Sequence, residues 1–149
     1  MLASESRQIF AQIEQMVALC PKADLLRGVH RLRIPALSPA GFDMSIAIDD
    51  FTVQLTFDRW WLHFARNDQR ALELFEQALH SDARIRIDAI GGNPWNWTLE
   101  RRLSANTWVA EQSVGALGLR FWGARTVTYL QNDFGFAGAA WVPTTNRAT

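Results

Sequence analysis

The sequence predicts an α+β fold: an antiparallel sheet of about 6–8 strands with two amphipathic helices packed on one face, as a two-layer sandwich or partly closed barrel. Three observations carry this. Arg84–Arg102 alternates apolar and polar residues through two runs separated by Gly91-Gly92-Asn93-Pro94. Two other segments carry apolar residues at helical spacing. The links between alternating runs are short, which favours antiparallel neighbours.

The first helical segment covers residues 4–20. Ile9, Ile13, Met16, Val17 and Cys20 fall on one stripe, as a helix covering a sheet requires. Ser4 or Ser6 is the expected N-cap, and Pro21 the stop. Cys20 lies in the stripe and reads as a small core hydrophobe.

Val29–Ile34 reads as a strand with His30, Leu32 and Ile34 inside. A loop with Pro35, Pro39 and Gly41 follows. Phe42–Ile48 alternates cleanly, Asp49-Asp50 is a turn, and Phe51, Val53, Leu55 and Phe57 resume the apolar face. Asp58-Arg59 is a second turn, and Trp60–Phe64 completes a meander.

Asn67 or Asp68 caps a second helix that runs to about His80. Ala71, Leu72, Phe75, Ala78 and Leu79 form its stripe, with Glu73, Glu76 and Gln77 on the wet side. In the hairpin that follows, Ile87 must oppose Trp97 or Leu99, because a one-residue slip would turn one apolar set into water. Arg84 or Arg86 then faces Glu100. Beyond Leu103 the pattern weakens: Thr107–Ala110 is a short strand, and Leu119–Trp122 pairs with Thr126–Leu130 through Gly123. Residues 131–149 are weakly patterned, and the whole of 1–149 reads as one domain.

Net charge is zero, which provides no global attraction to nucleic acid or anionic membrane. All of the 15 Lys and Arg residues except Lys22 are Arg, a skew that reads as compositional. One cysteine rules out an intrachain disulfide framework, and no run approaches the ~18 apolar residues of a membrane span. A soluble, cytoplasmic protein is the expectation.

Walker A, HExxH, CxxC and GxSxG patterns are absent. His30, His63 and His80 show no metal-ligand spacing. Neither a metal nor a cofactor is expected, and no catalytic residue is assigned. The informative feature is the 7 tryptophans. Trp60, Leu62 and Phe64 share one strand face, while Trp61 and His63 share the other. Leu119 and Phe121 likewise oppose Arg120 and Trp122.

If the helices cover one face, Trp61, His63, Arg86, Glu100, Arg120 and Trp122 are candidates for a partner- or ligand-binding surface on the other. The simpler alternative is that residues 131–142 fold over these rings. The favoured function is a small, non-enzymatic protein-interaction module of adaptor, immunity or chaperone type, binding another protein or itself as a homodimer. The order helix–strands–helix–hairpin is broadly similar to that of small secretion chaperones, though this chain is not acidic and lacks a clear final helix. One alternative is a small-molecule binder or enzyme with a pocket lined by Trp61, His63 and Trp122. There His63 would be the acid/base, oriented by Glu100 or Asp88. Another is a single-stranded nucleic-acid binder stacking bases on Trp61 and Trp122 beside Arg86 and Arg120, which the neutral charge disfavours.

Overall fold

The computed structural model describes residues 2–115 and 123–136. Helix α1 (Leu2–Ala18) precedes five strands: β1 (Leu26–Arg27), β2 (Arg31–Ile34), β3 (Met44–Ile48), β4 (Thr52–Phe57) and β5 (Trp60–Ala65). Helix α2 (Arg70–Leu79) then leads to β6 (Ala83–Ile90), β7 (Asn93–Ser104), β8 (Thr107–Gly115) and β9 (Arg125–Gln131).

The α+β class is as expected, but the single sheet of about 6–8 strands is not. The strands form two antiparallel sheets, one of 5 in the order β1-β2-β3-β4-β5 and one of 4 in the order β8-β7-β6-β9. Neither closes into a barrel. The physical reason is edge occupancy: β6 is hydrogen-bonded on both sides, to β7 and to β9, so it has no edge left on which to extend the first sheet beyond β5.

In the first sheet the alternation works as read. Ile46 pairs with Leu55 and Leu32 in a common register, and these residues are fully buried. Asp49 holds the turn: its Oδ1 accepts the Phe51 and Thr52 amides at 2.8 and 2.6 Å. That turn extends one residue further than expected, so Phe51 is 83 % exposed rather than part of the apolar face. His30 is exposed too, because β2 begins only at Arg31.

Both helices turn the predicted stripes to the core, although Leu72 is only half-buried and Leu74, outside the stripe, is buried. Helix α1 starts at Leu2, so Ser4 lies inside it, and Phe10 joins Ile13, Val17 and Cys20 in the core. On α2, Gln77 is buried rather than wet. The N-cap position of α2 is Gln69, which makes no side-chain cap. Asp68, one residue earlier, does accept the Arg70 amide at 3.0 Å.

The β6–β7 hairpin has the register its faces demand. Ile87 opposes Trp97, Ile85 opposes Leu99, and Arg84 opposes Glu100. Gly91 and Gly92 form the turn at φ of 57° and 79°, the left-handed region that favours glycine. Ile85, Trp97 and Leu99 join one continuous core with both helices and the inner face of the first sheet. The hairpin is therefore the anchor of the second sheet, as its pattern indicated.

The last strands differ most from expectation. Strand β8 runs from Thr107 to Gly115, longer than Thr107–Ala110. Strand β9 pairs with β6; the residues expected to pair with it, Leu119–Trp122, lie outside the described residues.

Candidate functional site

The outward face of the second sheet is set by cross-strand register. Arg84, Arg86 and Asp88 of β6 stand beside Gln131, Tyr129 and Val127 of β9. On the other side they meet Glu100, Thr98 and Asn96 of β7. Strand β8 adds Trp108, opposite Arg102, and Ser113, opposite Thr98.

Arg84 is the centre of this face. Its Nε donates to Glu100 Oε1 at 2.7 Å. Its guanidinium carbon lies 4.1 Å from the Trp108 ring centroid and 4.0 Å from that of Tyr129. Those rings come from the two edge strands and converge on one cation. Arg102 adds a second guanidinium 4.9 Å from the Trp108 ring. Planar guanidinium suits such stacking, which a lysine would not reproduce. Glu100 is buried to 8 % exposure beneath this group.

Next to the cluster runs a chain of polar contacts. Arg86 Nε and Asn96 Nδ2 both donate to Asp88, at 3.2 and 3.3 Å. Asn96 Nδ2 also reaches Thr98 Oγ1 at 3.3 Å, and the Thr98 and Ser113 hydroxyls are 2.7 Å apart. These bonds rigidify the face, while Val127 and Tyr129 remain exposed at its β9 edge.

Of the six residues expected at a site, Arg86 and Glu100 are on this face. Trp61 and His63 are on β5 of the other sheet, with ring centroids 5.3 Å apart in an edge-on arrangement. Trp61 is 46 % exposed, while Trp60 and Phe64, on the opposite face of β5, are buried. The separation has a plain cause: the two sets belong to different sheets. Asp88 and Glu100, the groups considered as orienters of His63, are likewise on the second sheet. Arg120 and Trp122 lie outside the described residues.

Of the segment 131–142 expected to fold over these rings, residues 131–136 do not cover Trp61, and 137–142 lie outside the described residues. Phe134 enters the core, and Phe136 stacks on His80 with centroids 3.6 Å apart. Trp108 and Tyr129 were not singled out by sequence reasoning. The signal available was an aromatic in each of two runs of β propensity; what was missing was the knowledge that these runs flank β6 and β7.

Concave features lie elsewhere. A cleft of about 730 Å³ separates α1 from the turn after β3 and is lined by Arg7, His30, Asp50 and Arg66. Another, of about 380 Å³, opens where α2 faces β5 and β8. Among the described residues no group of three or more His, Cys, Asp or Glu side chains is placed to hold a metal ion. No helix among them is long and apolar enough to cross a membrane.

Comparison of the chain with protein-family models, curated proteins and solved structures finds no match in any of the three.

Proposed function

We propose that this protein is a non-enzymatic interaction module that binds a protein partner through the outward face of its second sheet. The observation that carries this reading is the Arg84–Trp108–Tyr129 cluster over Glu100. Aromatic and arginine side chains dominate the energetically important centres of protein interfaces. Here they are held in place by a salt bridge and a hydrogen-bonded neighbourhood, so little side-chain entropy is lost on binding.

The sheet's edges support the same reading. Among the described residues β8 and β9 border it, and most of their residues are exposed. An edge strand offers unpaired N–H and C=O groups to a partner strand. Charge argues for a protein rather than a polyanion, since Arg84 and Arg86 are already matched by Glu100 and Asp88.

The test is affinity capture from native lysate with wild type, Tyr129→Ala and Trp61→Ala proteins, alongside light scattering of each. A stoichiometric partner, or a dimer, that is lost with Tyr129→Ala and kept with Trp61→Ala is the expected result. Loss with Trp61→Ala alone would move the interface to the first sheet. A monomer without a reproducible partner would overturn the reading.

A further inference from the structure

We propose that the partner of the second sheet is a second copy of this chain, joined edge to edge along β9 about a two-fold axis at Val127. This rests on the reading above that the second sheet is an interface, and it names the occupant of one edge.

Among the described residues β9 pairs with β6 alone. Two backbone bonds fix which of its groups face the open side. The Ala124 carbonyl accepts the Gly91 amide at 2.9 Å, beside β6, whereas the Gln131 amide donates to the Ala40 carbonyl at 2.9 Å and not to β6. In an antiparallel ladder the N–H and C=O of one residue point to the same neighbour, and successive residues alternate. Arg125, Val127 and Tyr129 therefore aim their N–H and C=O groups away from β6, while Thr126, Thr128 and Leu130 face it.

The other edges are less open. Strand β1 is 2 residues long. The pairing of β8 with β7 is broken twice, and the Gln112 carbonyl of β8 already accepts Trp60. Strand β5 faces α2 and β8 across the smaller cleft. By contrast β9 pairs with β6 through all 7 of its residues without a bulge. Its sequence has no proline, lysine or acidic residue, the usual means of blunting an edge. Residues 125–129 are exposed on both faces.

Self-pairing must match outward residues with outward residues. A two-fold at Val127 does so. Val127 meets Val127 of the second copy, Arg125 meets its Tyr129, and Thr126 meets its Thr128. Aliphatic, cation–π and Thr–Thr pairs of this kind all favour a ladder. The one charge on the strand is kept away from its own copy. A two-fold at Thr128 would instead oppose Arg125 to Gln131, whose amide Ala40 already holds. The two four-stranded sheets become one continuous sheet, with both Arg84–Trp108–Tyr129 clusters on the same side.

The experiment is sedimentation of the purified full chain over a concentration series, with disulfide trapping. Wild type should double its mass reversibly. Val127→Pro removes an N–H that β6 does not use, which an edge strand tolerates. It should weaken the dimer about tenfold or more with the monomer's thermal midpoint little changed. Val127→Lys changes an exposed side chain, sets like charges opposite each other, and should act in the same direction. Under mild oxidation Val127→Cys should cross-link to its own copy, since paired Cα atoms ~5.5 Å apart suit a disulfide. Tyr129→Cys should not, and the native Cys20 is buried. Undiminished association of Val127→Pro, or Tyr129→Cys cross-linking as readily as Val127→Cys, would overturn the proposal. So would a wild type that stays monomeric up to about 1 mM; if that monomer still captured a lysate partner lost with Tyr129→Ala, the proposed function would stand without the self-pairing.

Discussion

Asn132 and Phe42 exchange two hydrogen bonds across 90 positions of the chain: the Phe42 amide donates to Asn132 Oδ1 at 2.8 Å, and Asn132 Nδ2 donates to the Phe42 carbonyl at 3.0 Å. A single carboxamide thus mimics a strand partner for one residue. Its backbone is tied in as well, since the Ser81 hydroxyl donates to the Asn132 carbonyl. The segment after β9 is thereby fastened to the loop that leads into β3 and to the turn after α2.

Asn132→Ala should therefore destabilise the fold by about 2–4 kcal/mol, because two buried backbone groups of Phe42 lose their partners. Gly41→Ala should act in the same direction, since an added Cβ would come within 2.5 Å of Asn132 Oδ1. Urea unfolding of both variants checks this. A change within ±0.5 kcal/mol for Asn132→Ala, the range of ordinary surface substitutions, would exclude a structural role.

Stability should also depend on pH through His80. Burial holds its imidazole below the ordinary 6.5, while the nearby Glu76 and Asp82 charges pull the other way. The unfolded chain therefore takes up the proton first as pH falls. His80's contribution is full above 6.5 and declines as pH drops from there to the folded value. Asp82 works oppositely at lower pH: burial raises its carboxyl above 3.8, so its penalty is relieved as pH falls through the folded value. Asp43, whose carboxylate accepts the Ala36 amide and an Arg33 hydrogen bond, is lowered and loses its contribution below 3.8. Thermal melts from about pH 8 to pH 5 should show wild type weakening and His80→Gln remaining flat. Parallel curves would refute the assignment.

Removing Arg84 should expose the energetics of the aromatic cluster. Arg84→Ala leaves the Glu100 carboxylate buried without its cation and should cost about 2–3 kcal/mol, below the range for fully buried pairs because the site is partly open. Arg84→Lys restores charge but not planar stacking, and should recover less than half of that. The Arg84→Ala/Glu100→Gln double variant should be less destabilised than the two single losses summed. Additivity would mean that the pair is not coupled.

The two sheets share a hydrogen bond as well as a core: Trp60 Nε1 donates to the Gln112 carbonyl at 2.8 Å. Trp60→Phe keeps an aromatic ring but leaves that carbonyl unmet, with an expected loss of about 1–3 kcal/mol. Amide hydrogen exchange in β8 should accelerate more than in β3 or β4. Uniform acceleration would point to global loosening instead.

Much of this fold was legible because local patterning decides it. The stripe at Ile13, Val17 and Cys20, the Asp49 turn and the alternation of Met44, Ile46 and Ile48 all act within a few residues. For the β6–β7 hairpin one constraint, a shared apolar face, narrowed the register to Ile87 opposite Trp97 or Leu99, and the structure selects Trp97. The full length of β8 is not legible in the sequence because nearly all of its residues are exposed, which removes the alternation that marks a half-buried strand. Helical spacing places Gln77 on the wet side of α2, since spacing alone does not reveal that β5 and β8 close over it.

By itself the sequence determined the helices, the apolar faces of β3 to β7 and the facing of the hairpin's two apolar sets, since these depend on neighbours in the chain. The tertiary structure alone decided that there are two sheets and that β9 joins β6. It also decided that Trp61 and His63 part company with Arg86 and Glu100, and that Trp108 and Tyr129 meet on Arg84. Strand partners are chosen by long-range edge pairing and by where α2 packs, and side-chain periodicity is the same whichever edge is chosen.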